Sequence, residues 1–489
     1  MTLSNKDLLS IQEARQMVER AYAAQLVWAT ATQQQVDRVC EAMAQAAFLG
    51  AERLGRMAAE ETGFGVPEHK KLKNEFASRH VWERIKDIKT VGFLRQDEVN
   101  KIYEIAWPMG VVAALIPSTN PTSSTMNKIL ISAKARDAIV IAPHPSARNC
   151  CLATAKVMAD AAVEAGAPPG LINCLTQISL DGTQEMMAHK RTAVILATGG
   201  SDMVRVAHSM GKPAYGVGPG NVPVYVDRSA DLEKAARYIV ASKAFDYSVI
   251  CATEQAVVAD RPIAARLKQL MESEGAYFVD ETQANALRTT LFYPDGSINV
   301  STVGKSPQYL AAMAGIQVPR HARILVARLN KVGPEEPLSR EKMTTVLGWY
   351  EANGWEAGCD RSIEMINFGG RGHSLIIHAT DEKVIMAFGL EKPVFRIGVN
   401  TMGTLGTIGL TTSVMPSLTL GAGGIGGSIT GDNITVYHLF NIKRMAFETS
   451  RPPEMAMRSG TAPAGPVYGP APDEIEGVVE EVVRQILRA

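Results

Sequence analysis

Short, unbroken apolar runs alternate with helical patterns in the first half of the chain, and this alternation limits the possible folds more than any other feature. The run VVAALI at 111–116 ends at Pro117, and TAVILAT occupies 192–198. Such runs are typical of parallel strands buried on both faces. A helical segment near 122–135 precedes a further strand pattern, DAIVIAP. This order predicts a doubly wound parallel sheet, and a weaker repetition after Cys251 predicts a second α/β domain.

The overall composition argues against several classes of protein. The 489 residues include 50 basic and 50 acidic side chains, so the formal net charge is zero. The basic excess typical of nucleic-acid-binding proteins is missing. No apolar stretch has the ~20 residues that cross a bilayer, and the first residues lack the pattern of a signal peptide. The six cysteines have no CxxC or Cys/His spacing, which argues against structural zinc and disulfides. We expect a cytoplasmic protein without a metal site or a membrane partner.

Two residues are candidates for catalysis on chemical grounds. Cys251 lies in FDYSVICATEQAVV, where an accessible thiolate would be a nucleophile and a buried thiol would be structural. Asn120 lies in LIPSTNPTS, directly after a predicted buried strand. Open α/β sheets bind ligands at this end of a strand, and the amide can donate to a developing oxyanion. An ordinary Asn-Pro turn is the alternative for Asn120.

A third candidate is the glycine turn Thr198-Gly199-Gly200-Ser201, between a strand pattern and a helical segment. Small residues at such a turn let a phosphate approach the N–H groups at the helix start. The full G-x-G-x-x-G pattern is missing, so a tight turn without a ligand is the alternative. Two further glycine-rich segments, 216–223 and 418–428, are expected to shape a cavity or contact a ligand.

The flanking regions also carry local patterns. Ser10 and Glu13 form the S-x-x-E pattern of a capping box, which predicts a helix start. The segment at about 95–107 alternates enough to be a strand, and 433–447 has the character of strands.

Eight segments, taken in order, resemble the CoA-acylating branch of the aldehyde dehydrogenase family. This branch includes acetaldehyde and propionaldehyde dehydrogenases of the microcompartment-associated type. The segments are WPMGVVAALIPSTNPTS, APHPSAR, AGAPPGLIN, ILATGGSDMVRVA, KPAYGVGPGNVPVYVD, SVICATEQAVV, GGRGHS and PSLTLGAGGIGGS. The resemblance implies an aldehyde dehydrogenase-like α/β fold, with two doubly wound α/β domains and a small β oligomerisation extension.

The resemblance also implies roles for individual residues. Cys251 would be the nucleophile, and Asn120 with the backbone N–H of Cys251 would stabilise the oxyanion. Glu341 would contact the nicotinamide ribose of NAD, and its alternative is a solvated charge at a helix end. The other positions implied in cofactor binding are Pro117, Ser118, His144, Pro145, Thr198, Gly199, Gly200 and Ser201.

One departure from the wider family bears on the acyl acceptor. Hydrolytic aldehyde dehydrogenases carry a Glu-Leu-Gly-Gly segment whose glutamate activates water. The matching segment here is Val217-Gly218-Pro219-Gly220, and valine cannot accept a proton. The resemblance therefore implies transfer of the acyl group to coenzyme A, with acetaldehyde or propionaldehyde as substrate. The alternatives are a hydrolytic enzyme with another base, an acylating enzyme for sulfoacetaldehyde or an amino-aldehyde, and a catalytically weak scaffold protein.

Five segments are predicted along the chain. They are an NAD-binding domain at 1–244, a catalytic domain at 245–432, oligomerisation strands at 433–450, a flexible linker at 451–472 and an amphipathic helix at 473–489. Strands near 95–107, within the first domain, are expected to contribute to oligomerisation. The last helix resembles the encapsulation peptides that direct enzymes into bacterial microcompartments, because its apolar stripe can dock on a shell protein. A helix that packs on its own subunit is the alternative. We expect a dimer or a tetramer.

Overall fold

Two parallel sheets organise the molecule, and a small third sheet accompanies them. The computed structural model describes residues 5–453. The strands are β1 (Phe93–Asp97), β2 (Ile102–Pro108), β3 (Val111–Ile116), β4 (Ala138–Pro143), β5 (Ile172–Cys174), β6 (Thr192–Thr198), β7 (Ala214–Val217), β8 (Val222–Val226), β9 (Glu254–Asp260), β10 (Ala276–Phe278), β11 (Ile324–Arg328), β12 (Val346–Ala352), β13 (Leu375–His378), β14 (Ile397–Val399) and β15 (Phe440–Ala446). The α-helices are α1 (Asn5–Trp28), α2 (Gln33–Leu49), α3 (Ala51–Thr62), α4 (Pro67–Glu75), α5 (Val81–Ile85), α6 (Pro121–Lys134), α7 (Arg148–Glu164), α8 (Leu180–Ala188), α9 (Ser201–His208), α10 (Leu232–Ala244), α11 (Arg261–Ser273), α12 (Glu281–Leu291), α13 (Pro307–Ala314), α14 (Trp355–Phe368), α15 (Glu382–Glu391) and α16 (Gly403–Thr407).

The first sheet has five parallel strands in the order β5-β4-β3-β6-β7. Every residue of β3 and of β4 is buried, as expected for strands covered by helices on both faces. The strands predicted at 111–116 and 192–198 have these bounds in the structure. The predicted doubly wound α/β architecture is confirmed.

The second sheet has seven strands in the order β10-β11-β12-β9-β8-β13-β14. Strand β8 pairs with β9 and β13 and therefore belongs to this sheet. The chain changes sheet within 218–221, ahead of residue 244, where the sequence places the domain boundary. Both β7 and β8 are apolar and close in sequence, so the pattern alone does not tell which sheet each strand joins.

The third sheet has the order β1-β2-β15. Two strands occupy the region where one was predicted, because the Asp97 carboxylate accepts hydrogen bonds from the backbone N–H groups of Val99 and Asn100 and closes a turn. At 433–447 the structure contains the short 3-10 turn Val436–His438 and a single strand, β15.

The predicted capping box at Ser10 and Glu13 is wrong. Helix α1 already includes Ser10, whose hydroxyl donates to the carbonyl of Gln177 at 2.6 Å. The Glu13 carboxylate accepts hydrogen bonds from the backbone N–H groups of Thr176 and Gln177. Both side chains thus join α1 to the segment after β5 instead of starting a helix.

The chain divides into two compact units. Of the described residues, the larger unit contains 5–94 together with 104–443, and the smaller contains 95–103 and 444–453. Both large sheets, and all residues discussed below as a site, belong to the larger unit. In the range 5–453, no helix combines the length and apolar character that a membrane span requires. The predicted linker and terminal helix, at 451–472 and 473–489, lie almost wholly outside the described residues.

Candidate active site

Cys251 is the most accessible of the six cysteines. The other five are buried, whereas Cys251 is half-buried and lines a cavity of about 260 Å³. It lies between the short turn Phe245–Ser248 and β9, the central strand of the seven-stranded sheet. Partial exposure in a cavity is what a nucleophilic cysteine requires.

The loop that leads to Cys251 has an unusual backbone. Asp246, Tyr247 and Ser248 follow one another with φ angles of 48°, 50° and 68°. A left-handed conformation at a residue other than glycine costs about 1–3 kcal/mol, and such strain is concentrated at functional sites. Contacts around the loop must offset this cost. The amino-acid sequence gives no signal for it, because none of the three residues is glycine.

Asn120 lines the same cavity, at the carboxyl end of β3. It is the residue before α6, but its side chain makes no capping hydrogen bond to that helix. Its Nδ2 donates to the carbonyl of Val249 at 3.1 Å, and its Oδ1 accepts from Lys73 Nζ at 2.6 Å. The N–H side of the amide therefore faces the loop that carries Cys251.

The surroundings of Cys251 favour the protonated thiol at rest. Burial raises the pKa of Cys251 to about 12, and the carboxylate of Glu341 acts in the same direction. The guanidinium of Arg396 and the backbone N–H groups of Cys251 and Ala252 act against this rise. These N–H groups stabilise negative charge on the sulfur. The backbone N–H of Cys251 therefore lies close to the reacting atoms. The thiol must give its proton to a base before it attacks.

Glu341 borders the Cys251 cavity and is not at the end of a helix. It lies in the loop between the short turn Pro337–Ser339 and β12, and its Oε1 accepts a hydrogen bond from the N–H of Gly220 at 3.1 Å. Burial raises the pKa of Glu341 to about 7, although Lys243 and Lys342 lower it. The alternative of a solvated helix-end charge is wrong, and the carboxylate is close to its titration point at neutral pH.

Val217 lines the cavity from the end of β7. Its side chain is buried and apolar, so the position matched to the base of hydrolytic relatives offers no proton acceptor to water.

His373 is a buried residue behind the Cys251 cavity to which the sequence assigned no role, although its segment GGRGHS contributed to the resemblance. A side chain at Gly220 would overlap the Cys251 carbonyl and would lie 3.0 Å from the His373 ring, so only a glycine lets these groups approach. The Nε2 atom of His373 has no hydrogen-bond partner among residues 5–453. Burial and the charge of Arg396 lower the pKa of His373 to about 3, so the imidazole is neutral.

A second cavity, of about 300 Å³, lies at the carboxyl ends of β3, β4 and β6. Gly200 is the N-cap residue of α9, makes no side-chain cap, and an added Cβ there would meet no atom within 4 Å. A phosphate can therefore approach the first N–H groups of α9, which begins at Ser201. The predicted cofactor residues Pro117, His144, Pro145, Thr198, Gly199 and Gly200 line this cleft, and Ser118 lines the Cys251 cavity instead.

A third cavity, of about 930 Å³, adjoins both of these. It shares Gly200 and His144 with the cleft and Glu341 with the Cys251 cavity. Arg340 and Phe368 border it on another side. In the described part of the chain, no group of three or more His, Cys, Asp or Glu side chains is arranged to hold a metal ion.

Comparisons with known proteins agree with this geometry. A model described as the aldehyde dehydrogenase family matches residues 5–277. Aldehyde-alcohol dehydrogenase 2 of Entamoeba histolytica is 40% identical over 424 residues, which are 85% of this chain and 49% of that protein. This chain thus spans about half the length of such relatives. An acetylating succinate-semialdehyde dehydrogenase of Clostridium kluyveri is 34% identical, with 88% of this chain and 95% of that protein covered. A sulfoacetaldehyde dehydrogenase of an Acholeplasma species is 33% identical, with 87% and 89% covered.

Solved structures give the same result. An acetylating aldehyde dehydrogenase from Geobacillus thermoglucosidasius is 50% identical, with a TM-score of 0.91 over 92% of this chain and 100% of that chain. A propionaldehyde dehydrogenase from a fucose utilisation microcompartment of Clostridium phytofermentans is 27% identical, with a TM-score of 0.81 over 89% and 97%. A Rhodopseudomonas palustris propionaldehyde dehydrogenase with bound CoA and an acylated cysteine is 26% identical, with a TM-score of 0.81 over 89% and 97%. The predicted family is confirmed: this chain belongs to the aldehyde dehydrogenase family.

Proposed function

We propose that this chain oxidises a short aldehyde with NAD⁺ and passes the acyl group from Cys251 to coenzyme A. The observation that carries this proposal is the combination of Cys251, Asn120 and Val217 around one cavity of about 260 Å³. The first two supply a nucleophile and an oxyanion donor, and the third supplies no base for water. The relatives whose names include acetylation, and the neighbour with bound CoA and an acylated cysteine, support the same assignment.

The chemistry of the chain's own residues begins with Cys251. Its thiolate adds to the aldehyde carbonyl, and the carbonyl oxygen becomes an oxyanion beside Asn120 Nδ2 and the backbone N–H of Cys251. Each such donor typically lowers the barrier by about 3–4 kcal/mol. One carboxyl group, that of Glu341, lines the cavity with the nucleophile. Glu341, whose pKa is about 7, is matched to accept the thiol proton at neutral pH.

The cleft at α9 is the proposed cofactor site. Pro117, His144 and Pro145 would border the adenosine part, and Thr198, Gly199 and Gly200 would place the pyrophosphate at the start of α9. NAD⁺ supplies a hydride acceptor when it is bound. Glu341 borders the path from this cleft to Cys251 and is positioned to contact the nicotinamide ribose.

The cavity of about 930 Å³ gives coenzyme A access to the thioester on Cys251. The thiolate of coenzyme A attacks the carbonyl carbon of the thioester, and Asn120 again stabilises the oxyanion. The Cys251 thiolate then leaves. Exchange of an acyl group between two thiols is nearly balanced in free energy, so the enzyme should work in both directions. Hydrolysis would lose that free energy, and the apolar side chain of Val217 avoids it.

The lining of the Cys251 cavity favours a short, neutral aldehyde. Its residues include the carboxyl group of Glu341 and neither lysine nor arginine. Acetaldehyde and propionaldehyde fit this lining. Sulfoacetaldehyde and succinic semialdehyde carry a negative charge that would lie near Glu341 in a lining without a lysine or arginine side chain to contact it, and burial of a charge without a direct partner is costly.

An absorbance assay at 340 nm tests the proposal. We expect NADH formation from acetaldehyde or propionaldehyde to require coenzyme A for sustained turnover, and Cys251→Ser to abolish it. Sustained NADH formation without coenzyme A would indicate a hydrolytic enzyme. Absence of NADH with a panel of small aldehydes would indicate a scaffold protein. Faster turnover of sulfoacetaldehyde or succinic semialdehyde would refute the substrate assignment.

Two further assignments belong to this proposal. The enzyme assembles as a dimer or tetramer through the strands near 95–107 and 433–447. It works in the cytoplasm inside a bacterial microcompartment, to which residues 473–489 direct it. The apolar stripe of that segment and the microcompartment source of the Clostridium phytofermentans neighbour support the second assignment.

A further inference from the structure

A buried cluster of charged side chains lies directly behind the oxyanion donor. Lys70 and Lys73, both on α4, contact the carboxylate of Asp246. The side chains of the two lysines are 2% exposed and that of Asp246 is 0% exposed. Two buried cations with one carboxylate are an expensive arrangement, because their desolvation exceeds what a single pair returns. The cluster is therefore poorly explained as a device for stability.

The lysines contact consecutive residues at the end of β3. Lys70 Nζ donates to the carbonyl of Thr119 at 3.2 Å, and Lys73 Nζ donates to Asn120 Oδ1 at 2.6 Å. Burial lowers the pKa of Lys73 to about 7, and the charge of Asp246 acts against this decrease, so the ammonium form is present at neutral pH and predominates below it. An ammonium has donors and no acceptor. Asn120 must therefore present its oxygen to Lys73 and its NH₂ group to Val249. A flipped amide would put two donors together on one side and two carbonyl oxygens together on the other.

The same contact changes the electronic character of the amide. Hydrogen bonds from charged donors are about twice as strong as neutral ones. A bond to the oxygen of an amide also polarises its N–H groups, which strengthens them as donors in a low-dielectric site. The second hydrogen of Asn120 Nδ2 faces the hydroxyl of Thr119 at 3.1 Å, and an oxyanion can replace this hydroxyl.

Asp246 connects these groups to the nucleophile. Its carboxylate accepts a hydrogen bond from the N–H of Val66 at 2.7 Å, and its own N–H donates to His69 Nδ1 at 2.8 Å. These bonds hold the first left-handed residue of the loop that leads to Cys251. One aspartate thus fixes both the loop of the nucleophile and the lysine that holds the oxyanion donor.

We infer that Lys73 is a positioning residue of this enzyme: it orients and polarises Asn120 toward the oxyanion, and Asp246 locks it to the Cys251 loop. This role rests on the proposed functions of Cys251 and Asn120. Lys73 acts only through Asn120 and does not act on the ionisation of Cys251. It should therefore matter for reactions that pass through an oxyanion and not for other reactions of the same thiol.

Two reactions of the full-length enzyme without cofactor separate these roles. With p-nitrophenyl acetate, the Cys251 thiolate attacks the ester carbonyl, an oxyanion forms, p-nitrophenolate leaves and acetyl-Cys251 remains. With iodoacetamide, the thiolate displaces iodide and no oxyanion forms. We expect Lys73→Met to slow the acetylation burst about 10- to 100-fold, up to the lower end of the loss of about 10²–10³-fold seen when an oxyanion donor itself is removed, and to change the alkylation rate less than about twofold. Equal slowing of both reactions, or of neither, would overturn the inference.

A double-mutant cycle tests the route through Asn120. In an Asn120→Ala background, Lys73→Met should cause no further loss, because residues that act through one another are not additive. Independent, additive losses would contradict the inference. Lys134→Met is the matched control, since Lys134 is also a fully buried lysine paired with an aspartate, Asp37, at the far end of α6. It should lower stability and leave the burst rate unchanged.

Further variants keep the test decisive. If Lys73→Met does not fold, Lys73→Gln retains a donor without the charge and should give an intermediate burst rate and normal alkylation. A wild-type rate in Lys73→Gln would show that the charge has no part. Cys251→Ser should remove the burst in every background. A burst that survives Cys251→Ser would refute the proposed nucleophile, whereas a burst that depends on Cys251 and is unaffected by Lys73→Met would refute the role of Lys73 alone.

Discussion

Val217 borders the Cys251 cavity with a side chain that is only 2% exposed and cannot accept a proton. We expect Val217→Glu to supply a general base for water and to raise NADH formation without coenzyme A by about 10²-fold, the lower end of such catalysis. Burial should raise the pKa of the new carboxyl above about 4.3, the usual value for glutamate. The gain should therefore increase with pH as the carboxyl ionises.

Val217→Gln is the control for this change, since it has nearly the same volume and no carboxylate. An equal gain in the two variants would mean that altered space, and not base catalysis, admits water. The measurement is the initial rate of NADH formation from acetaldehyde, with free acid quantified as the product.

The residues of the site differ in how far the sequence predicts them. Cys251 and Asn120 lie in ordered motifs, and the structure brings both to one cavity. Lys73 lies in HKKLKNEF, which has the pattern of a solvated basic helix, and lysine is almost never fully buried. Its partners Asn120 and Asp246 are 47 and 173 positions away. Contacts at such separations depend on the whole fold, so no local pattern indicates them.

Among the elements, the buried parallel strands were the most predictable. Strands β3 and β6 have the predicted bounds because continuous burial leaves an unbroken apolar run. Patterns of a few polar residues were less reliable. The S-x-x-E pattern at Ser10 lies inside α1, where it serves tertiary contacts. Strand β8 lies before the predicted boundary at 244 and pairs in the second sheet, because the apolar pattern of a strand does not indicate which sheet it joins.

The turn that precedes α4 controls the placement of the charged cluster. Gly65 has a φ of 75°, and a side chain there would overlap the carboxylate of Asp246. We expect Gly65→Ala to displace Asp246, to release Lys73 from its position and to slow the burst with p-nitrophenyl acetate at least tenfold. The burst rate and the Tm of the purified variant are the two measurements.

Gly315→Ala is the matched control for this element. Gly315 ends α13 with a φ of 66°, and an added Cβ there would meet no atom within 4 Å. Gly315→Ala should lower the free energy of unfolding only by the cost of a left-handed backbone at alanine, about 1–2 kcal/mol. It should keep the wild-type burst rate. If both alanine variants lose stability equally and neither loses activity, the contact between Gly65 and Asp246 has no part in catalysis.

At the scale of the whole molecule, the proposed catalytic residues and the proposed association segments occupy different parts of the sequence. The residues that line the Cys251 cavity lie between Pro117 and Leu418. The strands β2 and β15 carry partly exposed apolar side chains, with Trp107 at 52%, Ile442 at 41% and Met445 at 40%. Apolar groups on an exposed strand are suited to pair with another subunit, which supports the proposed oligomer.

The segment 451–489 provides a test of targeting that leaves catalysis aside. Its last part carries apolar residues at helical spacing, namely Ile475, Val478, Val479, Val482, Val483, Ile486 and Leu487. We expect deletion of 451–489 to leave kcat within about twofold of the full chain, because every residue assigned to the chemistry lies outside it. The deletion should also keep the native oligomeric mass, because β15 is retained.

The same deletion should abolish copurification with microcompartment shell proteins expressed in the same cell. In the full chain, Val479→Asp with Ile486→Asp should have the same effect, since a charge in the stripe prevents burial against a partner, whereas Glu480→Gln should not. Copurification that survives both the deletion and the double substitution would assign shell association to another surface of the enzyme.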